Sequence, residues 1–449
     1  MSAIKSPSSG NVSPPASPRP PDHGAPGRYR VVWLGLLVLG VVGLAWWNTS
    51  EHQASTASNP ATAPASAGSP SASASTPGTA AHATQILQPP PIGPTTPDTT
   101  ATLAAALSDL EAFLGQPHSK NDIANALERL RVRLMHAPRA VADAAIYDYL
   151  SSGHNPSTTL DFDIGPGGWL KNAPSLRTFL LDALGEVDPQ SAAEYAKSIL
   201  EQNNVSPDEW ALSLRNLSQH DPSMATDPYL QEKTRELVTN QQWLSQPSQG
   251  MLEAFDFVVF TKQSNLAPLM AGYMDNTSQP NAVRFASYLT LDRLTLSDPT
   301  DVLNQLNQQP QLLDSTPDVR ASLFARADVT DPAQLSAVEN YLSRTDISQQ
   351  EIQGFVQAFP LVSQAVGDNL ATTQIILTSQ QVAQRDVATL AVVNQWLSDP
   401  RFASRQAELQ HLQANLIENV QSAQEGGLLP ATTGTASPAP PPATVTNPP

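Results

Sequence analysis

Eight dipeptides constrain this chain more than any other feature. Asp188-Pro189, Asp221-Pro222, Asp227-Pro228, Asp298-Pro299, Asp331-Pro332 and Asp399-Pro400 share one form, and Ser206-Pro207 and Thr316-Pro317 are its relatives. An Asp, Ser or Thr ahead of a helix accepts a hydrogen bond from an amide of the first turn. A proline in the first helical position loses nothing, because its missing N–H would have had no partner. Eight starts of this kind predict many short helices, roughly 14 to 16, most of about 10–17 residues, joined by tight turns.

The apolar pattern agrees. Leu176, Phe179, Leu180, Ala183 and Leu184 recur at i, i+3, i+4, i+7 and i+8. Ala192, Tyr195, Ala196, Ile199 and Leu200 repeat the spacing, and Ala282, Phe285, Ala286 and Leu289 repeat it again. Each set is one buried stripe of an amphipathic helix. No comparable alternating pattern marks a β-sheet, so residues 101–425 are expected to be all-α. Helices are expected near 371–397 and 400–424. In the last of these Phe402, Leu409 and Leu416 fall every seven residues with Leu412 between them; Arg405 and Glu418 break a coiled-coil seam, so a final amphipathic helix capping the array is the expectation and a short seam the alternative. Trp210, Trp243 and Trp396 sit in helical stretches and are expected in the core.

The spacing also suggests a repeat. Asp188 and Asp221 are 33 residues apart, as are Asp298 and Asp331. Apolar-Arg pairs at Leu176-Arg177, Leu214-Arg215, Val283-Arg284 and Val319-Arg320 separate their arginines by 38, 69 and 36 residues, one unit with a copy blurred near residue 250. With PNAVRFASYLTLDRL and TPDVRASLFARA, and more loosely SLRTFLLDALGEVDPQSAAEYAKSIL, residues 170–345 resemble HEAT-like α-helical repeats. In that family the second helix of a hairpin carries Val-Arg followed by small and apolar residues. The resemblance implies a helical-hairpin array that works as a protein-binding scaffold. Residues 101–160 and 370–425 depart from it, and an irregular all-α domain is the alternative.

Around this segment the composition changes. Residues 1–28 are rich in Pro and Ser and read as a disordered cytoplasmic tail. Residues 29–48 hold the 17-residue uncharged run Val31–Trp47, about 26 Å as a helix, with tryptophans near its ends; this reads as an uncleaved transmembrane signal anchor. Residues 49–100 are an Ala/Ser/Pro-rich linker with a reach of about 40 Å, and 426–449 are a second uncharged tail. The first 30 residues carry four basic groups against one acid, while the remainder has a net charge of −20. Positive charge stays inside, so the expectation is an inner-membrane protein crossing once, N-terminus cytoplasmic and helical domain periplasmic.

That acidic balance excludes nucleic-acid binding, which needs a basic face. The absence of cysteine excludes disulfides, thiolate metal sites and cysteine nucleophiles. No two of the eight histidines stand at metal-ligand spacing, and there is no phosphate-cradling loop or nucleophile elbow. No cofactor is implied. One stretch stands apart, LDFDIGPGGW at 160–169, where Asp161, Asp163 and Trp169 form a candidate ligand loop. Asp161 and Asp163 begin like a calcium loop, but Gly165 holds the next ligand position and Asn172 the twelfth, which speaks against a metal. The expected role is a membrane-anchored envelope scaffold or adaptor whose partner is another envelope or periplasmic protein. The alternative is an envelope enzyme or glycan-binding module with a carboxylate and aromatic groove.

Overall fold

A computed structural model describes residues 99–430 apart from 365, 366 and 375. Residues 1–98 and 431–449, where a cytoplasmic tail, a 29–48 anchor, nearly all of a 49–100 linker and most of a C-terminal tail were expected, lie outside the described residues. Among the described residues no helix is long and apolar enough to cross a membrane.

The described chain is mostly helical. Helices α1 (Thr100–Leu114), α2 (Lys120–His136) and α3 (Arg139–Ser151) come first. A short antiparallel hairpin, β1 (Asp163–Ile164) and β2 (Leu170–Asn172), follows, then α4 (Leu176–Val187), α5 (Pro189–Leu200) and α6 (Pro207–His220). The middle holds α7 (Pro228–Thr239), α8 (Gln241–Ser245), α9 (Gln249–Glu253), α10 (Asp256–Phe260), α11 (Ala267–Asp275), α12 (Asn281–Ser297) and α13 (Pro299–Gln308). The end is α14 (Pro317–Phe324), α15 (Pro332–Leu342), α16 (Gln349–Ala358), α17 (Ser379–Ser398) and α18 (Gln406–Glu425).

All eight Xaa-Pro dipeptides begin a helix. Six open α5, α6, α7, α13, α14 and α15; Asp221-Pro222 and Asp399-Pro400 open 3₁₀ turns. The helices outnumber the expectation because the blurred copy near residue 250 is split into three five-residue pieces, α8, α9 and α10. Asn240 caps the first and Ser248 the second, so the chain restarts within the blurred copy.

Packing is sequential. Helix α5 lies on α6, α11 on α12 and α17 on α18, while α4 touches both α5 and α6. One helix further on, α13 meets α15, α14 meets α16 and α16 meets α18. The buried apolar side chains form one continuous cluster from Leu103 to Leu416. Phe402, Leu409, Leu412 and Leu416 are all buried in it, α18 packing on α17 and α16 of the same chain. Trp210 and Trp396 are core residues; Trp243 is only half-buried and meets Trp210 edge-on.

Two expectations are corrected. The 282/285/286/289 stripe is only partly the buried face of α12: Ala286 is buried and Leu289 half-buried, but Ala282 and Phe285 (42%) are exposed, and the helix also buries Val283, Ser287, Thr290, Leu291, Asp292, Leu294 and Thr295. Those threonines donate back to their own helix, to the Ala286 and Leu291 carbonyls, which lets hydroxyls sit in a core. The helix expected near 371–397 begins only at Ser379, after a Thr378 cap. Residues before it form a non-helical connection that travels far from α16 and returns.

Candidate functional site

The 160–169 stretch holds the two-residue first strand of a hairpin, Asp163–Ile164, and the 3₁₀ turn Pro166–Gly168 that follows it. Leu160, Phe162 and Ile164 are buried, while Asp161 and Asp163 between them are exposed. This is strand alternation of period two, and it places both acids on the wet face. Asp161 meets Lys120 Nζ at 3.3 Å with both side chains well exposed, and Asp163 accepts from Asn172 Nδ2 at 3.4 Å across the hairpin. Gly167 (φ 73°) and Gly168 (φ 80°) make the turn, in backbone conformations that disfavour side chains.

Trp169 goes another way. It packs over Gly185 of α4, and the Arg215 guanidinium of α6 stands 4.5 Å from its ring centroid. With Gly185, Pro189, Asn216 and Gln219 it lines an open depression of about 200 Å³. Neither Asp161 nor Asp163 is part of that lining. The structure thus does not gather the three candidate residues into one pocket.

Beneath the hairpin lies a cluster that the sequence reading missed. Asp182 and Arg215 are fully buried and paired to each other. Asp182 also accepts from Arg131 Nη2 at 2.7 Å and from the Leu170 amide at 3.1 Å. Arg131 bonds Glu186 as well, and donates to the Leu170 carbonyl at 3.1 Å. Arg215 donates to the Gly168 carbonyl at 3.0 Å and to Asn216 Oδ1, and Asn216 Nδ2 holds the Leu181 carbonyl at 2.9 Å. Two acids thus face two arginines; their hydrogen bonds to the hairpin run through its backbone, and Arg215 also lies over the Trp169 ring. Burial lifts the Glu186 carboxyl above its ordinary value despite Arg131. The signal was present in WALSLRNL and FLLDAL, where a charge interrupts an apolar stripe.

The cluster belongs to a series. Arg326 of the turn after α14 pairs bidentately with Asp292 of α12, and Arg293 stands 3.9 Å from Asp256 of α10. Near the helix starts, Arg177 of α4 meets Glu209 of α6 at 3.0 Å. Arg320 of α14 grips Glu351 of α16 with two 2.8 Å bonds. The apolar-Arg marker mixed two registers: Arg177, Arg284 and Arg320 sit in first turns, whereas Arg215 lies deep inside α6.

The second long feature is the connection between α16 and α17. Its root is tied at α14, where the Leu361 amide donates to the Ala325 carbonyl at 2.7 Å and Arg326 Nη1 donates to the Ser363 carbonyl at 2.9 Å. Its tip reaches the hairpin. Lys171 Nζ meets Asp368 at 3.3 Å, Leu370 is buried, and the Leu370 carbonyl lies hard against Gly168. Asp256 Oδ2 accepts the Ala371 and Thr372 amides at 2.9 and 2.8 Å, and Thr372 Oγ1 donates to Asp256 Oδ1. The chain then returns to Arg326, whose carbonyl accepts from Arg385.

Among the described residues no group of three or more His, Asp or Glu is placed to hold a metal ion. Six acids are buried among the described residues: Asp386; Asp256, which accepts the Ala371 and Thr372 amides; and Asp182, Glu209, Asp292 and Glu351, each paired with an arginine. Such carboxylates hold charge in place rather than trade protons. No family model, no curated protein and no solved structure matches the chain.

Proposed function

We propose that this chain is a membrane-anchored scaffold of a bacterial envelope, held by one N-terminal helix, with residues 101–425 displayed in the periplasm as a HEAT-like helical-hairpin array that binds another envelope protein. The supporting observation is the recurrence of one contact. Arginine–acid pairs at separations of 33, 34, 32 and 31 residues each join a helix to the next but one, or to the turn after it, two with the acid first in sequence and two with the arginine first. A contact that recurs at one repeat length, between helices that pack mainly on their nearest neighbours, is what a stacked array produces. Arrays of this kind offer an extended surface rather than a deep pocket. The long linker would let that surface search a volume around its anchor.

The test is crosslinking of the full-length protein in cells, with the linked residues mapped by mass spectrometry. Reproducible links from one face of 101–425 to a defined envelope protein support the scaffold. Links only to abundant bystanders, with no preferred face, count against it. A second reading, a glycan-binding module, rests on Trp169 and the Gln219 amide beside it in the same depression. Binding of wall glycan fragments that Trp169→Ala abolishes would favour it.

A further inference from the structure

We infer that the 367–372 tip is a built-in occupant of a peptide-binding site, and that an extended segment of the partner protein takes its place. This rests on the scaffold reading and names the chemistry that the partner must offer. The receptor is fixed by three features. Asp256, 4% exposed, presents both carboxylate oxygens to two consecutive backbone N–H groups and one hydroxyl. Gly168 gives the passing backbone room, since a Cβ there would collide with the Leu370 carbonyl. Leu370 fills an apolar slot.

The tip reads as a ligand because, apart from the exposed Asp368–Lys171 pair, its polar contacts with the rest of the fold run through its main chain or one hydroxyl. Asp256 reads two successive amides, which any non-proline residues supply, and one Ser- or Thr-type oxygen. A replacement must bring those donors, because a buried carboxylate stripped of them is strongly disfavoured. The partner segment is therefore extended, with an apolar residue, a small residue and then Ser or Thr, as in Leu370-Ala371-Thr372. Exchange is feasible because the root is held separately. Leu361, Ser363 and Arg385 are tied at Ala325 and Arg326, so the tip can leave without unthreading the fold. The tip's flank is already wet, with Ile376 70% exposed.

The experiment uses the full chain with residues 367–373 replaced by a Gly/Ser run of equal length, and a fluorescent peptide of sequence GDNLATT. The replaced chain, with helical circular dichroism unchanged, is expected to bind the peptide at least tenfold more tightly than the wild type, whose site is filled. Thr372→Val in the peptide, or Asp256→Ala in the replaced chain, is expected to remove most of that binding. A folded replaced chain that binds no better than the wild type overturns the inference. So does a wild-type chain that dimerises with concentration while the replaced chain does not, since the tip would then be exchanged between copies. The scaffold reading is judged apart: a partner held on another face still crosslinks to the replaced chain in cells.

Discussion

Asp188 shows what one side chain does at a helix start. Its carboxylate accepts the Gln190 and Ser191 amides at 3.1 Å each and pairs with Arg139. The Arg139 bond foremost, and the Ser191 amide and hydroxyl after it, hold its pKa down at about 2 against an ordinary 3.8. A depressed carboxylate stabilises the fold fully above its unfolded pKa and loses that contribution as pH falls toward the folded value. Asp188→Ala is therefore expected to cost about 1 kcal/mol at pH 7 in urea unfolding, and progressively less between pH 4 and 2. Asp298, whose side chain makes no capping bond in the same dipeptide, should tolerate alanine within about 0.5 kcal/mol. The dipeptide fixes where a helix begins, and so was legible in the sequence. Whether the carboxylate also caps depends on local backbone angles that the residue types alone do not set.

At the scale of elements, the difficulty lay in polar residues that sit inside. The buried face of α12 is shifted from its apolar stripe, with Ala286 common to both, because Ser287, Thr290, Asp292 and Thr295 escape an apolar count. The hairpin was taken for a loop because its alternation spans only five residues, and its acids then looked like a site. In the fold those acids are the solvated edge, while the charges that matter lie under the turn. Asp182→Ala leaves Arg215 fully buried without its acid, while Arg131 keeps Glu186, so an expected loss of about 3–5 kcal/mol follows from the cost of one unpaired buried charge. Asp161→Asn and Asp163→Asn should each stay within about 0.5 kcal/mol, being exposed. Urea midpoints of the three variants order these effects; equal shifts would mean that the hairpin acids carry structural weight.

Over the whole molecule, near-neighbour packing and one distant clasp pull in opposite directions. An array whose units touch mainly adjacent units unfolds as a sum of local terms, and distant parts can open independently. Here the α16–α17 connection joins residues over a hundred positions apart, tying Asp256 and Gly168 to a root at Arg326. Seated, it makes the opening of either region cost the contacts of the other, so the intact domain should unfold in one cooperative step. Removing the clasp while keeping every helix should expose the underlying one-dimensional behaviour. Asp256→Ala combined with Thr372→Val strips the three donor–acceptor contacts and leaves the root bonds intact. Hydrogen exchange followed by mass spectrometry, in rising urea, then reports α4–α6 and α14–α16 separately. In the wild type both regions are expected to lose protection at one urea concentration; in the double variant the midpoints should separate. If they remain coincident, the coupling runs through the helix stack itself, and the domain is a single packed unit rather than an array closed by its own chain.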